Sequence, residues 1–459
     1  VFMRTKLIAS LGPASSSRDV VLGLAKAGIR AFRINFAHGD RSVWDSLVEF
    51  VRGVEDELGV SLTLIGDLRG SSIRIGEVDG EVRVRRGDTI KFILGGEGKD
   101  GQIPIPNPKV FESLEPGDFI VMDDGKVRLR VVDAGYDYAV VTAVTDAVIK
   151  SRKALAIKGK ELDLPTLTTK DVMDLRYACS RGFNYIGLSY VRTHNDILIL
   201  KEYLRDLGCR AKVIAKIETR SALRNLESII RVSDAVLVAR GDLGMNFSIE
   251  EIPKIQRRIV RESRRLGRPV IVATQLLESM IEKPVPTRSE VADIAVAVSE
   301  GVDALMLTGE TAVGKYPVDA AKWLARIVKT VEEYIEPEKV LPEGELKFMY
   351  AKGIVELAEC LKAKILIYSK QGNTARLIAA LRPKSETYVG VPSKEVAREV
   401  SILWGIEPYI VGDRRYDEGL ELTYSKLREL EKIKIGDLVV MTYGMVGEEQ
   451  IIKVRRVME

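Results

Sequence analysis

The sequence predicts an α/β protein organised around an eight-stranded parallel barrel, with a small all-β unit inserted near its start and an open sheet after it. Three observations carry this. Short β-branched runs alternate with helix-length segments along most of the chain, a βα rhythm that implies parallel strands. The rhythm breaks between residues 71 and 158, where short alternating strands and turn signals replace it. Polar or charged residues gather at the carboxyl end of nearly every predicted barrel strand, the face on which barrel enzymes place their chemistry.

Residues 5–12 (TKLIASLG) form the first predicted strand, closed by Gly12-Pro13. A helix over 18–27 follows, with Gly28 at its end. The second strand, 31–37, carries Arg33, Asn35 and His38 at or near its end; the third, 62–67, runs into Asp67-Leu68-Arg69-Gly70. Within 71–158 the segments EVRVRR, DTIKFIL, KVRLRVV and YAVVTAV are strands separated by Gly87-Asp88 and Pro116-Gly117-Asp118, and no good helix is expected. This is a β lid in a barrel loop, where insertions are tolerated. After Pro165 come a helix near 170–181 and strands at 185–191, 212–218, 235–242, 269–275 and 304–310. With the first three these make eight, hence a (β/α)8, or TIM, barrel. An acidic, proline-containing stretch at 334–345 reads as a linker, and strands at 365–369, 387–391, 409–411, 438–442 and 451–457 give a smaller open sheet. The expected division is 1–70 with 159–335 for the catalytic barrel, 71–158 for the lid and 336–459 for a C-terminal α/β regulatory domain.

Composition narrows the function classes. Over 459 residues, 46% hydrophobic and 30% charged content describes a soluble globular protein, and a net charge of +4 gives no bulk attraction to nucleic acid. No apolar run is long enough to span a membrane, and the short stretch ahead of the first strand leaves no room for a signal peptide. A cytoplasmic protein is expected. Cys179, Cys209 and Cys360 are far apart and in no metal spacing, so they read as packing residues. With His38 and His194 as the only histidines, an imidazole-rich metal site is excluded. Scarce Asn and Gln beside abundant Lys, Arg and Glu lean toward a thermophilic source.

The chemistry concentrates in 213–244, where VIAKIE and AVLVARGD flank a helix-length segment. Lys216 and Glu218 close the first run, Arg240 and Asp242 the second. Period-two alternation sends Lys216 and Glu218 to one side. A lysine beside a carboxylate, with Asp242 arriving from the next strand, suits a hard divalent cation clamped over an anionic substrate. On their own the pair read equally well as a satisfied ion pair. Gly241 and Gly244 shift the weight, because they let backbone amides approach an anion ahead of a helix. Ser369-Lys370-Gln371-Gly372-Asn373-Thr374 is a second strand-to-helix cradle, or merely a polar turn.

AKIET, VARGDLG, VATQLLES (272–279) and MLTGETA (306–312) resemble, in the same order, the phosphate-site strands of the pyruvate kinase family. FRINFAHG (32–39), DLRGSSIRIG (67–76), SYVR (189–192) and PTRSE (286–290) extend the resemblance over essentially the whole chain. It implies phosphoryl transfer from phosphoenolpyruvate to ADP, giving pyruvate and ATP in the last step of glycolysis, with Mg2+ or Mn2+, in a homotetramer. By resemblance Glu218 and Asp242 hold the metal, and Lys216 faces the transferring phosphoryl and the enolate oxygen. Arg33 and Arg74 grip phosphoryl and nucleotide phosphates, the Gly241 and Asp242 amides hold the substrate carboxylate, and Thr274 is one link in protonating the enolate. Pro13, His38 and Lys158 belong to the nucleotide site. Ser369, Lys370, Gly372, Asn373 and Thr374 belong to an effector-phosphate site.

The departures are informative. Ala37, Leu68 and Ser72 stand where the family commonly has Ser, Thr and an acidic residue, leaving Asn35, Asp67 and the Leu68 carbonyl of the monovalent-cation set. Potassium is therefore expected not to be required. Fructose-bisphosphate-activated members carry a basic C-terminal loop, whereas residues 443–450 (YGMVGEEQ) hold Glu448 and Glu449, so a monophosphate at most is expected there. Two other readings compete. A Mg2+-dependent lyase or aldolase acting on a 2-oxo acid needs the carboxylates but neither Arg74 nor a lid, and a non-catalytic sensor would have no use for Lys216, Glu218 and Asp242.

Overall fold

The apolar runs of the barrel segments offer no polar face to water, so they must be covered on both sides. The computed structural model describes residues 3–98, 101–123, 125–344, 346–445 and 450–458. Among them eight parallel strands close a barrel: β1 (Lys6–Leu11), β2 (Ile29–Asn35), β3 (Thr63–Asp67), β4 (Tyr185–Leu188), β5 (Lys212–Ile217), β6 (Ala235–Ala239), β7 (Val270–Ala273) and β8 (Ala304–Leu307). Going round, the order is β1-β8-β7-β6-β5-β4-β3-β2. Alternate side chains fill the interior, among them Ile8, Ile65, Tyr185, Ile214, Ile271 and Met306. The intervening ones, such as Leu7, Phe32, Leu64 and Val213, pack against the surrounding helices.

Several barrel strands stop sooner than the apolar pattern suggested. β6 ends at Ala239, and Arg240 and Asp242 lie in a short helix, Arg240–Asn246, rather than at the strand end. β7 ends at Ala273 because Thr274 and Gln275 both take positive φ, +70° and +53°. Helix starts follow their local chemistry: Thr168 and Asp171 form a reciprocal cap for Thr169–Ser180, as Thr287 and Glu290 do for Arg288–Ser299.

Between β3 and β4 the inserted unit forms a six-stranded sheet and a two-stranded one around its own core. It also contains a helix, Pro108–Ser113, where none was expected. The helix is one Asn-capped turn and a half with Pro at its first position, too short to leave a periodic pattern.

The C-terminal part has β9 (Lys364–Tyr368), β10 (Thr387–Val391), β11 (Ile406–Ile410), β12 (Leu438–Thr442) and β13 (Ile452–Arg456), in the order β11-β10-β9-β12-β13 with the last antiparallel. It plugs the barrel's amino-terminal mouth. Ile402 joins the interior cluster, and Arg382 reaches a buried Asp303 Oδ2 at 2.6 Å. Asp303 also accepts from the Val270 and Trp404 amides, so one carboxylate ties β7 to the C-terminal part. Glu55 and Arg398 form a second buried ion pair across the same junction.

Cys179 and Cys209 are not packing residues: they form a disulfide. They stand 30 positions apart in sequence, yet the βα path returns the end of one helix and the turn before β5 to the same end of the barrel. Spacing alone conceals this. Cys360 is exposed and free, also contrary to expectation. Closing a loop of 30 residues restricts the unfolded chain by roughly 3–4 kcal/mol. Dithiothreitol is therefore expected to lower the thermal midpoint of the oxidised protein to that of Cys179→Ser, measured by calorimetry. An unchanged midpoint on reduction would show that the bond contributes nothing.

Candidate active site

Three strands on one side of the barrel, β2, β3 and β5, aim charged side chains into the carboxyl-terminal mouth. Register places Arg33 opposite Ile65 and Asn35 opposite Asp67, so the last residues of β2 and β3 lie side by side. Arg33 donates through Nε to Asp67 Oδ2 at 2.7 Å and through Nη1 to Ser10 Oγ at 3.1 Å. From β5, the Lys216 ammonium reaches Glu218 Oε1 at 2.8 Å, Asp67 Oδ2 at 3.5 Å and Ser189 Oγ at 2.8 Å. Ser189 in turn donates to the Leu68 carbonyl at 2.9 Å.

Burial opposes the Lys216 charge, but Asp67, Glu218 and Asp242 outweigh it and hold the ammonium well above its ordinary pKa. Burial pushes the Glu218 carboxyl up to about 7, against Lys216 and with help from Asp242. Glu218 Oε2 accepts the Tyr190 amide at 2.9 Å, and Tyr190 takes φ +57° to deliver it. Glu218 Oε1 has the Lys216 ammonium as its neighbour, and Asp67 Oδ1 is buried with no hydrogen-bond partner among the described residues. A buried carboxylate oxygen left this way, beside Glu218, suits a cation, so the residues present fit a hard divalent ion. Asp242 faces the same region, since its charge acts on Lys216, Glu218 and Arg74.

Thr274 lies across the mouth, its Oγ1 accepting the Gly241 amide at 2.8 Å. Gly241 is buried against it. His38 is exposed at the rim; partial desolvation first, then Arg74, Arg33 and Arg69, hold its pKa below the usual value. Arg74 donates to Ser72 Oγ and to the Arg152 carbonyl at the root of the lid, at 3.2 and 2.9 Å. Pro13 opens a turn of 3-10 helix after β1 and is exposed. Lys158 is exposed where the lid returns, its backbone amide on Phe119, and the structure does not bring its side chain into this cluster. The lid bears on the rim: Lys126 pairs with Glu278 at 3.3 Å, and a Cβ on Gly125 would stand 2.8 Å from the Gly244 carbonyl.

For the monovalent set, Asn35 Oδ1 accepts the Ala37 amide at 3.0 Å and the Leu68 carbonyl accepts Ser189. In the C-terminal part Ser369, Lys370, Asn373 and Thr374 line a cavity of about 240 Å³ with Lys347 and Tyr416, and Gly372 takes φ +72° beside it. Lys370 pairs with Asp413 at 2.8 Å, and Thr374 donates to the Tyr443 carbonyl at 3.2 Å. Glu448 and Glu449 lie outside the described residues.

Sequence reasoning gave no role to Ser189, Tyr190 or Arg240. Ser189 and Tyr190 open the motif SYVR just past β4, and that position was the available signal.

A parallel barrel with a lysine and carboxylates at its carboxyl mouth, under a β lid, defines an enzyme for an anionic substrate. "Pyruvate kinase, barrel domain" matches residues 2–321, and "Pyruvate kinase, alpha/beta domain" matches 349–455. A pyruvate kinase of Aeropyrum pernix is 39% identical over 98% of both chains, and one of Pyrobaculum aerophilum 38% identical over 98% of this chain and 96% of the other. The crystal structure of the Pyrobaculum aerophilum pyruvate kinase superposes with a TM-score of 0.87 at 38% identity, covering 98% of this chain and 99% of that one. The chain belongs to the pyruvate kinase family, which are phosphotransferases. The lyase or aldolase reading finds no support among these matches. Both archaeal relatives come from thermophiles, in keeping with the amide-poor composition.

Proposed function

We propose that this chain transfers the phosphoryl group of phosphoenolpyruvate to ADP in a Mg2+-dependent reaction, yielding pyruvate and ATP. The observation that carries the reading is the buried Lys216, set between Asp67, Glu218 and Ser189 beside an Asp67 Oδ1 that has no hydrogen-bond partner among the described residues. Glu218 and Asp242 would hold Mg2+ or Mn2+, with the rest of the shell from substrate and water. The ion's chemistry, when bound, is to neutralise charge on substrate oxygens.

The chain's own groups do the remaining work. Lys216 places fixed positive charge where the enolate oxygen and the departing phosphoryl become more negative. The Arg33 fork, now on Asp67 and Ser10, orients phosphoryl oxygens, and Arg74 and His38 face the nucleotide with Pro13 and Lys158 at its edge. The Gly241 and Asp242 amides receive the substrate carboxylate. Thr274 passes a proton to C3 of the enolate as one member of a relay, because a hydroxyl is too weak an acid to act alone. Residues 1–70 with 159–335 form the catalytic unit, 71–158 the lid and 336–459 the regulatory unit of a cytoplasmic homotetramer. The cavity at Ser369, Lys370, Gly372, Asn373 and Thr374 takes a monophosphate effector.

A lactate-dehydrogenase-coupled assay with phosphoenolpyruvate, ADP and Mg2+ tests this. Activity is expected without stimulation by fructose 1,6-bisphosphate. Lys216→Met is expected to lower kcat by at least about a few hundredfold while phosphoenolpyruvate still binds, the loss of one electrostatic donor in the transition state. Near-normal kcat in the folded variant would remove Lys216 from the chemistry.

Potassium is the second test. Asn35, Asp67 and the Leu68 carbonyl are the oxygens left at the monovalent position, Ala37 supplies none, and Ser72 removes a negative charge nearby. Turnover in tetramethylammonium chloride is expected to stay within about tenfold of that in potassium chloride at equal ionic strength, under roughly 1.4 kcal/mol in barrier. A larger dependence would mean that another group restores the missing ligand.

A further inference from the structure

We infer that Arg240 is a positioning residue for proton delivery, locking the turn that presents the Thr274 hydroxyl. The inference rests on the reading of Thr274 as a relay member. Thr274 and Gln275 are consecutive non-glycine residues in the left-handed region, at φ +70° and +53°. For a β-branched residue this conformation is strained, and it persists only where the surroundings over-determine it.

Arg240 supplies that constraint. It is buried, at 6% exposure, and one edge of its guanidinium is given to the turn. Nε donates to the Thr274 carbonyl at 3.1 Å; Nη2 donates to the Thr274 and Gln275 carbonyls, each at 2.8 Å. Nη1 is anchored on Asp293 Oδ2 at 2.5 Å, in the helix Arg288–Ser299. Two adjacent carbonyls and a carboxylate around one rigid plane is a demand that a guanidinium meets and an ammonium does not.

The next residue completes the arrangement. The Gly241 amide donates to Thr274 Oγ1 at 2.8 Å, so that oxygen accepts from the backbone and keeps its own hydrogen for another acceptor. Arg240 grips the threonine's carbonyl, Gly241 its hydroxyl, and Asp242 follows directly. The element that carries Asp242 therefore also fixes the proton relay. In the step concerned, C3 of the enolate gains a proton, the relay oxygen that gave it is replenished from water, and the C=C bond becomes a C–C bond as the ketone forms.

The test separates proton transfer from binding. Pyruvate is incubated with the full-length enzyme, Mg2+ and inorganic phosphate in D2O, and deuterium entering the methyl group is followed by NMR, alongside KM for phosphoenolpyruvate. Arg240→Met is expected to slow exchange by at least about tenfold, a general acid–base loss, with KM changed less than about threefold. Gln275→Gly in that background is expected to recover several-fold of the exchange, because glycine takes positive φ without strain. Arg240→Lys keeps the charge but not the fork; it is expected to be slow as well, and decides the matter if the Met variant does not fold. No recovery in the double variant, or equal losses in exchange and KM, would overturn the positioning role. Thr274→Val distinguishes the two readings. If it exchanges at the wild-type rate, the relay fails and Arg240 with it. If it is slow while the Arg240 variants are fast, the Arg240 inference alone fails.

Discussion

A buried ammonium survives at the mouth of a barrel only where carboxylates compensate its lost hydration. Lys216 meets that condition through Asp67 and Glu218, with Asp242 close enough to add its field. Arg33 shares Asp67. Two cations then face three carboxylates, a formal excess of one negative charge. Such a knot, with its excess of negative charge, suits a hard cation rather than a bare anion. The raised Glu218 carboxyl and the buried Asp67 Oδ1, without a hydrogen-bond partner among the described residues, express the same imbalance.

The fold earns this knot by strand register. β2 and β3 end side by side, β5 enters one strand further round past β4, and every contributing residue is within two or three positions of a strand end. At the opposite mouth the barrel is sealed by Ile402 and held by Asp303–Arg382 and Glu55–Arg398. Breaking one partner of a buried pair typically costs about 3–5 kcal/mol, so these pairs set the rigidity of the base on which the mouth stands. The lid meets the rim through Gly125 against Gly244, a contact that leaves no room for a side chain.

Much of this was legible. Eight β-branched runs with helical intervals gave the barrel, and the loss of helical periodicity gave the lid. Lys216, Glu218, Arg33, Arg74, His38 and Thr274 were picked out by alternation, motif and resemblance, and they do converge, whereas Lys158 stays outside the cluster. What stayed hidden depends on backbone conformation or long-range return. No residue type announces that Tyr190, Thr274 or Gln275 will take positive φ, since none is glycine or asparagine. Asp242 looked like a strand end because an apolar run continues up to Arg240, but the chain turns helical there. Arg240 read as a charge closing the apolar run, and its carbonyl partners are something sequence cannot display. The Cys179–Cys209 bond depended on where one βα unit returns.

The central claim is that Lys216 and Asp67 are one electrostatic unit. A double-mutant cycle of Lys216→Met and Asp67→Asn, read by denaturant unfolding of the metal-free protein, tests it most directly. Lys216→Met alone leaves buried carboxylates uncompensated and should cost several kcal/mol, while adding Asp67→Asn should return part of the loss, a coupling of about 1–3 kcal/mol. Strictly additive losses would contradict the account.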